Sequence, residues 1–372
     1  MREIASSGAR YAEASADTEL DPLYLGPDYI NRWVDHALES RMKWGVQISN
    51  LYSGHGTYAT LGLAHTDTHV RTRFIENWLK PMVATANRID AGLGFFCHAF
   101  PQSVIADPIR YQDEFHSLVG NLARIAEYNM KLGNGKYIGV EQMYTPHQVP
   151  WTIDQSKRLI REVYSQARAP FYITIDVGHQ SGQHRFLRPN EEELKELVES
   201  TARTGQLPTR WIGPDPVMRK LSDAASSSLK DSTAKIEQLS QEMDRYPHLF
   251  ADKRDGDPYA WLRELAGWSP IIHLQQTDGT SSSHLPFDQQ SNRKGIVEGK
   301  RLLQAIKDHY DSNSSHIEFP DQVSEIYLTI EVFSGTADTP ETIRKKIRDS
   351  VAYWRQTIPE DGKTVDTLLD TN

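Results

Sequence analysis

Apolar residues recur along this chain at two different spacings. Where they fall every three or four positions, as with Ile30, Trp33, Val34 and Ala37, amphipathic helices are predicted. Such segments run from Pro27 to about Arg41, Thr68 to Asn87, Asp107 to Leu132 with Gly133 as its stop, Ser156 to Ala167, Asn292 to Tyr310 and Pro340 to Gln356. Where apolar residues run without interruption, strands covered on both faces are predicted. These are Trp44 to Leu51, Gly92 to Ala99, Tyr137 to Glu141, Phe171 to Asp176, Pro270 to His273 and Ile326 to Phe333. Strand, helix and strand alternate with short joints, which favours a parallel α/β fold over separate all-α and all-β units.

Four of the apolar runs end on a side chain able to bind metal: Glu141, Asp176, His273 and Glu331. Ligands at the C-terminal ends of successive parallel strands describe the rim of a (β/α)8 TIM barrel, where such barrels carry their chemistry. The expected organisation is a single catalytic domain over 1–372. Its opening is unusual: Arg2 to Ser15 reads as a helix turn, a Gly8 stop and a short strand from Arg10 to Ser15. The first barrel strand is therefore expected to be missing or displaced. From His179 to His273 the chain runs well past the roughly 30 to 40 residues that one barrel unit needs. Helical patterns at Glu191 to Thr204, Asp215 to Met243 and Tyr259 to Ala266 predict a helical insertion, 183–257, between strands six and seven. It could serve as a solvated excursion, a lid or a dimer contact. The polar tail after Ile358 is expected to fray.

Composition narrows the function. A formal charge of −9 over 372 residues speaks against a surface built for phosphate backbones, so nucleic acid is an unlikely partner. The lone Cys97 excludes an internal disulfide and suits a reducing cytoplasm. No apolar stretch approaches the roughly 20 residues that cross a bilayer, so a soluble cytoplasmic protein without membrane attachment is expected.

The candidate site combines three carboxylates with one imidazole, a mostly hard donor set suited to one divalent ion, Mn²⁺, Mg²⁺, Co²⁺ or Zn²⁺. Glu141 follows Ile138-Gly139-Val140, where an isolated charge would cost several kcal/mol, so it must be paired, neutralised or metal-bound. The motif Asp176-Val177-Gly178-His179 puts an acid and an imidazole three positions apart as a strand turns into its loop, and Gly178 permits that turn. His273 reads either as a core histidine or as a ligand; Gln275 and Asp278 could orient it or reach substrate hydroxyls. His55 and His98 follow strands on the same rim and are candidates for substrate contact or for a further metal. His65 and His69 begin a surface helix, which explains their spacing.

Taken in order, these strand ends and the Asp176/His179 pair resemble the xylose isomerase-like TIM barrel superfamily, in particular its ketose 3-epimerase and sugar-phosphate isomerase/epimerase branch. The resemblance implies Glu141, Asp176, His273 and Glu331 as ligands of one metal, and His179 as a substrate-binding residue. Three features depart from it, the first being the apparent loss of the first strand. The long insertion means that the relatives' lid and substrate selectivity do not transfer, and the arginine that some relatives place shortly after the histidine strand is replaced by Gly279 and Thr280.

The implied activity is isomerisation or epimerisation of a ketose or ketose phosphate, with Glu141 and Glu331 as the acid/base pair across an enediolate. Arg71, Arg73, Arg185 and the Ser281 to Ser283 run are candidates to meet a phosphate. Two other functions compete: an apurinic-site endonuclease of the same superfamily, and a non-catalytic sugar-binding barrel. The endonuclease pattern has an Asp two before the histidine, where Ile271 stands here. A strand edge left open by the missing strand favours a homo-oligomer.

Overall fold

The structure, a computed structural model, describes residues 1–53, 62–133, 136–226, 232–312 and 317–370. Seven strands are present among them: β1 (Tyr11–Ser15), β2 (Gln47–Ser53), β3 (Gly92–Phe95), β4 (Ile138–Glu141), β5 (Tyr172–Asp176), β6 (Ile271–Leu274) and β7 (Tyr327–Ile330). All neighbours pair in parallel, in the order β1 to β7, and helices alternate with them. Among the described residues this is a TIM barrel with seven of the usual eight strands. At the seam the rings of Tyr11 and Tyr327 meet edge to face at 5.0 Å, so the barrel is nearly closed. The seam leaves β7 half-buried along its length, whereas β3 to β6 are buried throughout.

Register fixes what the rim brings together. Asp176 lies opposite His273, and Glu13 of β1 lies opposite Asn50 of β2. The bulge lies on β2: Ala12 pairs with Ile48 and Glu13 with Asn50, so Ser49 is skipped, while alternation along β1 puts Glu13 on the same face as Tyr11. Room for side chains inside the barrel comes from glycine: a Cβ on Gly94 would press on the Tyr52 ring at 3.0 Å. Side chains four apart on a strand share a face. Tyr137, Tyr172 and Tyr327 therefore enter the barrel below Glu141, Asp176 and Glu331, and their rings pack together at 5.9 and 6.5 Å.

The helices start where their caps dictate. Asp107 accepts from the N–H groups of Ile109 and Arg110 to open Pro108–Lys131, and Thr152 accepts from Gln155 to open Ile153–Ala167, three residues earlier than the apolar period suggested. The stretch predicted as one helix from Asp215 to Met243 is two, Asp215–Ala225 and Ser232–Asp244. The long helix expected from Asn292 begins only at Gly299, after a short turn of helix at Gln289–Asn292. The third strand stops at Phe95 because the chain turns, with His98 at φ 76°. Within 183–257, Leu194, Val217, Leu221 and Met243 join the same buried core as the barrel. The tail does not simply fray: Val365–Asp370 is helical, Leu368 is buried, and Asp366 pairs with Lys307 at 2.6 Å. No helix among the described residues is long and apolar enough to cross a membrane.

Candidate metal centre

Glu141, Asp176, His273 and Glu331, drawn from four strands, each present one ligand atom within 4.8 Å of the others. Glu141, Asp176 and His273 are buried, and Glu331 is largely so. Asp176 sits at the top of β5, where its Oδ1 accepts the N–H groups of Gly178 at 2.7 Å and His179 at 3.2 Å. Gln275 closes over it, its amide nitrogen donating to both carboxylate oxygens at 2.8 and 2.9 Å. Only glycine fits at 178, since a Cβ there would lie 2.3 Å from the Gln275 side chain.

His273 is gripped from both sides. Its Nδ1 donates to Glu141 at 2.9 Å and its Nε2 to Glu13 at 2.9 Å, while Glu331 stands 3.4 Å from Nδ1. Burial alone would pull the imidazole pKa down, but the charges of Glu13 and Glu331 and these hydrogen bonds raise it well above the ordinary value. Burial likewise pushes the Glu331 carboxyl up, and the His273 charge outweighs it and holds that carboxyl below the ordinary glutamate value. Tyr52 donates its hydroxyl to Glu141 and sets its ring edge-on to His273 at 5.0 Å. Burial first, then Glu141 and Glu331, push the Tyr52 phenol up, so it remains a donor.

Four carboxylates thus surround one imidazolium: Glu13, Glu141, Asp176 and Glu331 against His273. Buried charge of one sign is stable only when compensated. The donor set, its spacing and this excess of negative charge fit a divalent cation bound by Glu141, Asp176, His273 and Glu331. Glu13 would remain on the far nitrogen and fix the tautomer that turns Nδ1 inward. Asn50 holds Glu13 in place, donating to it at 2.6 Å.

The other residues singled out from the sequence fall as follows. His179 is buried beside the cluster; its Nδ1 donates to the Gln142 carbonyl at 2.8 Å and its Nε2 lies 3.9 Å from Asp176. Burial lowers its pKa, and Asp176 and Glu141 outweigh that and raise it. Gln275 holds Asp176, as above. Asp278 is exposed and spends its carboxylate on its own turn, accepting from the Thr280 N–H at 3.0 Å and the Thr280 hydroxyl at 2.6 Å. His98 has its ring edge against Phe96 and joins neither candidate ligand group among the described residues. His55 lies outside the described residues. Arg71 is engaged by Glu114 at 3.1 Å and by the His65 carbonyl.

Three residues of the site escaped the sequence reading: Glu13, Tyr52 and His284. The last belongs with Asp176 and His179 to a second group of potential ligands and stands 3.6 Å from Glu331. The short strand around Glu13 and the apolar run containing Tyr52 gave signals of strand, not of chemistry.

No protein-family profile matches the chain. D-erythrulose 1-phosphate 3-epimerase of Brucella abortus is 31% identical over 113 residues, 30% of this chain and 33% of that protein, so the match spans a third of the relative's length. Among solved structures, a protein named for xylose isomerase from Rhodospirillum rubrum superposes with a TM-score of 0.64 at 15% identity, over 95% of this chain and 91% of that one. A D-tagatose 3-epimerase-like protein gives 0.53 at 13% identity over 96% and 94%. The 3-keto-D-glucoside 4-epimerase of E. coli gives 0.52 at 10% identity over 95% and 92%. At these identities the likeness is one of architecture: the chain shares the TIM-barrel fold of these proteins.

Proposed function

We propose that this chain is a metal-dependent sugar or sugar-phosphate isomerase or epimerase, moving a proton on a carbon next to a ketose carbonyl. The observation that carries the reading is the convergence of Glu141, Asp176, His273 and Glu331 within 4.8 Å, with more buried carboxylate than one imidazolium balances. The partial likeness to D-erythrulose 1-phosphate 3-epimerase supports the substrate class. We take 1–372 as one TIM-barrel catalytic domain with 183–257 as a helical insertion, because insertion and barrel share one core.

A divalent cation held by the four ligands would supply Lewis-acid stabilisation for negative charge developing on substrate oxygens. The residues divide the remaining work. Glu141 receives the Tyr52 hydroxyl on one oxygen. Glu331 has a buried oxygen, Oε2, without a hydrogen-bond partner. That asymmetry makes Glu331 the freer base to remove the carbon-bound proton, with Glu141 and the Tyr52 hydroxyl behind it as the proton-holding partner on the opposite wall. His179, its Nδ1 fixed on the Gln142 carbonyl, turns Nε2 toward Asp176 and is placed to hold a substrate oxygen.

Exchange of solvent deuterium into a panel of ketoses and ketose phosphates tests the reading. The Mn²⁺-loaded protein is expected to label the carbon beside the carbonyl of at least one member, and Glu331→Gln to abolish labelling while still folding. Near-native exchange by Glu331→Gln, or exchange that needs no divalent ion, would refute the assignment.

A further inference from the structure

The loop after β6 places one imidazole at the centre with unusual care. His284 adopts φ 44°, a left-handed conformation that side chains other than Gly and Asn rarely take. Three contacts hold it there. Its backbone N–H donates to Gln275 Oε1 at 2.7 Å, its carbonyl accepts the Phe333 N–H at 3.2 Å, and its ring lies flat on the Phe333 ring at 3.9 Å with an interplanar angle of 1°.

These contacts also favour one nitrogen as the bearer of the proton. Gln275 Oε1 is occupied by the His284 N–H, so the Gln275 nitrogen, 3.3 Å from His284 Nε2, is a donor. Ser282 Oγ accepts from that amide at 2.9 Å and stands 3.3 Å from Nε2, which leaves its own hydrogen to donate there. With the Ser282 hydroxyl turned toward it, Nε2 accepts and the hydrogen sits on Nδ1, the tautomer the inference below uses. Nδ1 is buried with no hydrogen-bond partner, and the atom 3.6 Å away, Glu331 Oε2, is buried and lacks one too. The two are complementary but too far apart to bond. A hydroxyl oxygen standing to one side of the pair, about 2.8 Å from each atom, can accept from Nδ1–H and donate to Glu331.

Resting on the function proposed above, we infer that His284 is a further substrate-contacting residue: its Nδ1–H binds a hydroxyl of a polyhydroxylated ligand beside Glu331. A ring nitrogen of His284 also lies within 4.8 Å of ligand atoms of Asp176 and His179, a set able to hold a second cation. The hydrogen-bonding role is favoured because the Gln275 amide nitrogen already donates among Asp176, Ser282 and His284, where such a cation would stand.

The test compares the Mn²⁺-loaded full chain with His284→Phe, which keeps a ring on Phe333 without a donor, and with His284→Asn, which tolerates the backbone conformation and restores an N–H. Calorimetry with two unreactive linear polyols, erythritol and sorbitol, reads affinity, and metal analysis reads Mn²⁺ per chain. Polyol binding is expected to weaken about tenfold in His284→Phe and to recover most of that loss in His284→Asn. Mn²⁺ is expected to stay at one per chain in all three proteins, which also reports that the variants fold. Equal polyol affinity in wild type and His284→Phe, or no polyol binding by the wild type, overturns the inference. Two Mn²⁺ per wild-type chain falling to one in both variants replaces it with a second cation site. Failure of the proposed function looks different: His284-dependent polyol binding by a protein that exchanges no ketose proton.

Discussion

The two ends of the same barrel are built from opposite materials. At the lower end Tyr11, Tyr137, Tyr172 and Tyr327 meet ring to ring. At the upper end, four residues further along three of those strands, stand Glu141, Asp176 and Glu331 around His273. The tyrosines bury area while keeping their hydroxyls at the margin; Tyr172 donates to the Asp321 carbonyl at 3.4 Å, and burial with its tyrosine neighbours pushes its phenol up to about 12. The acids bury charge, which costs stability unless a cation arrives. One end therefore stores the free energy that holds the strands in register, and the other spends part of it on a site strained by its own repulsion. Substitutions at the two ends should separate accordingly.

The largest effect is expected from Asp176→Asn. Removing this ligand should weaken Mn²⁺ binding by more than the ~100-fold typical of losing an outer-sphere partner, with activity lost as the consequence. Metal titration alongside the wild type checks that order. Thermal stability of the metal-free variant should equal or exceed that of the metal-free wild type, because one buried charge has gone. A variant that loses stability but keeps its metal would erase the contrast.

Tyr172→Ala should behave in the opposite way. Emptying a buried aromatic from the lower end is expected to cost about 3–5 kcal/mol in urea unfolding. Mn²⁺ per chain and turnover of the folded fraction should stay near the wild-type values.

Asp255 offers a buried acid away from both ends, where the insertion rejoins the barrel. Its oxygens accept the N–H groups of Ile153 at 2.8 Å and Asp252 at 2.7 Å, so it needs no cation. Burial nevertheless raises its pKa from 3.8 to about 6. A carboxyl whose folded pKa exceeds its unfolded value stabilises the fold fully below pH 3.8 and loses that contribution as pH rises through about 6. Relative to Asp255→Asn, the wild type should lose on the order of 2 kcal/mol of unfolding free energy between pH 4 and 7. Parallel stability curves for the two proteins would show that Asp255 is ionised as readily as an exposed acid.

Much of the upper end could be read from the chain before any coordinates. Glu141, Asp176, His273 and Glu331 stand out because each closes a run that is otherwise apolar, and a charge in such a place demands a reason. The tyrosines beneath them were legible only as strand residues, since their mutual contact depends on the stagger of neighbouring strands. Tyr52 was hidden for the same reason: it looks like core until the space left by Gly94 lets it reach Glu141. His284 lay in a loop of serines with no period to betray it. A barrel short of a strand among the described residues was anticipated, but not that β1 would close the seam with both a ring and a carboxylate.

Glu13 is the residue that joins these points, and its substitution is expected to give the smallest and most informative effect. In sequence it sits in a short strand, Tyr11-Ala12-Glu13-Ala14-Ser15, whose alternation would permit it to face solvent; its partner His273 is 260 positions away. In the structure it holds Nε2 of that histidine and leaves Nδ1 for the cluster. Glu13→Gln retains an oxygen to accept from Nε2–H but removes the charge that polarises the ring, so Mn²⁺ affinity should fall about tenfold, the low end for a partner behind a ligand. Glu13→Ala removes both and should approach 100-fold, again with the lower end of the barrel unaffected in urea. If both variants bound Mn²⁺ as tightly as the wild type, the Glu13–His273 pair would be only a buried ion pair closing the seam. The boundary between the stabilising and the functional end would then run above Glu13 and not through it.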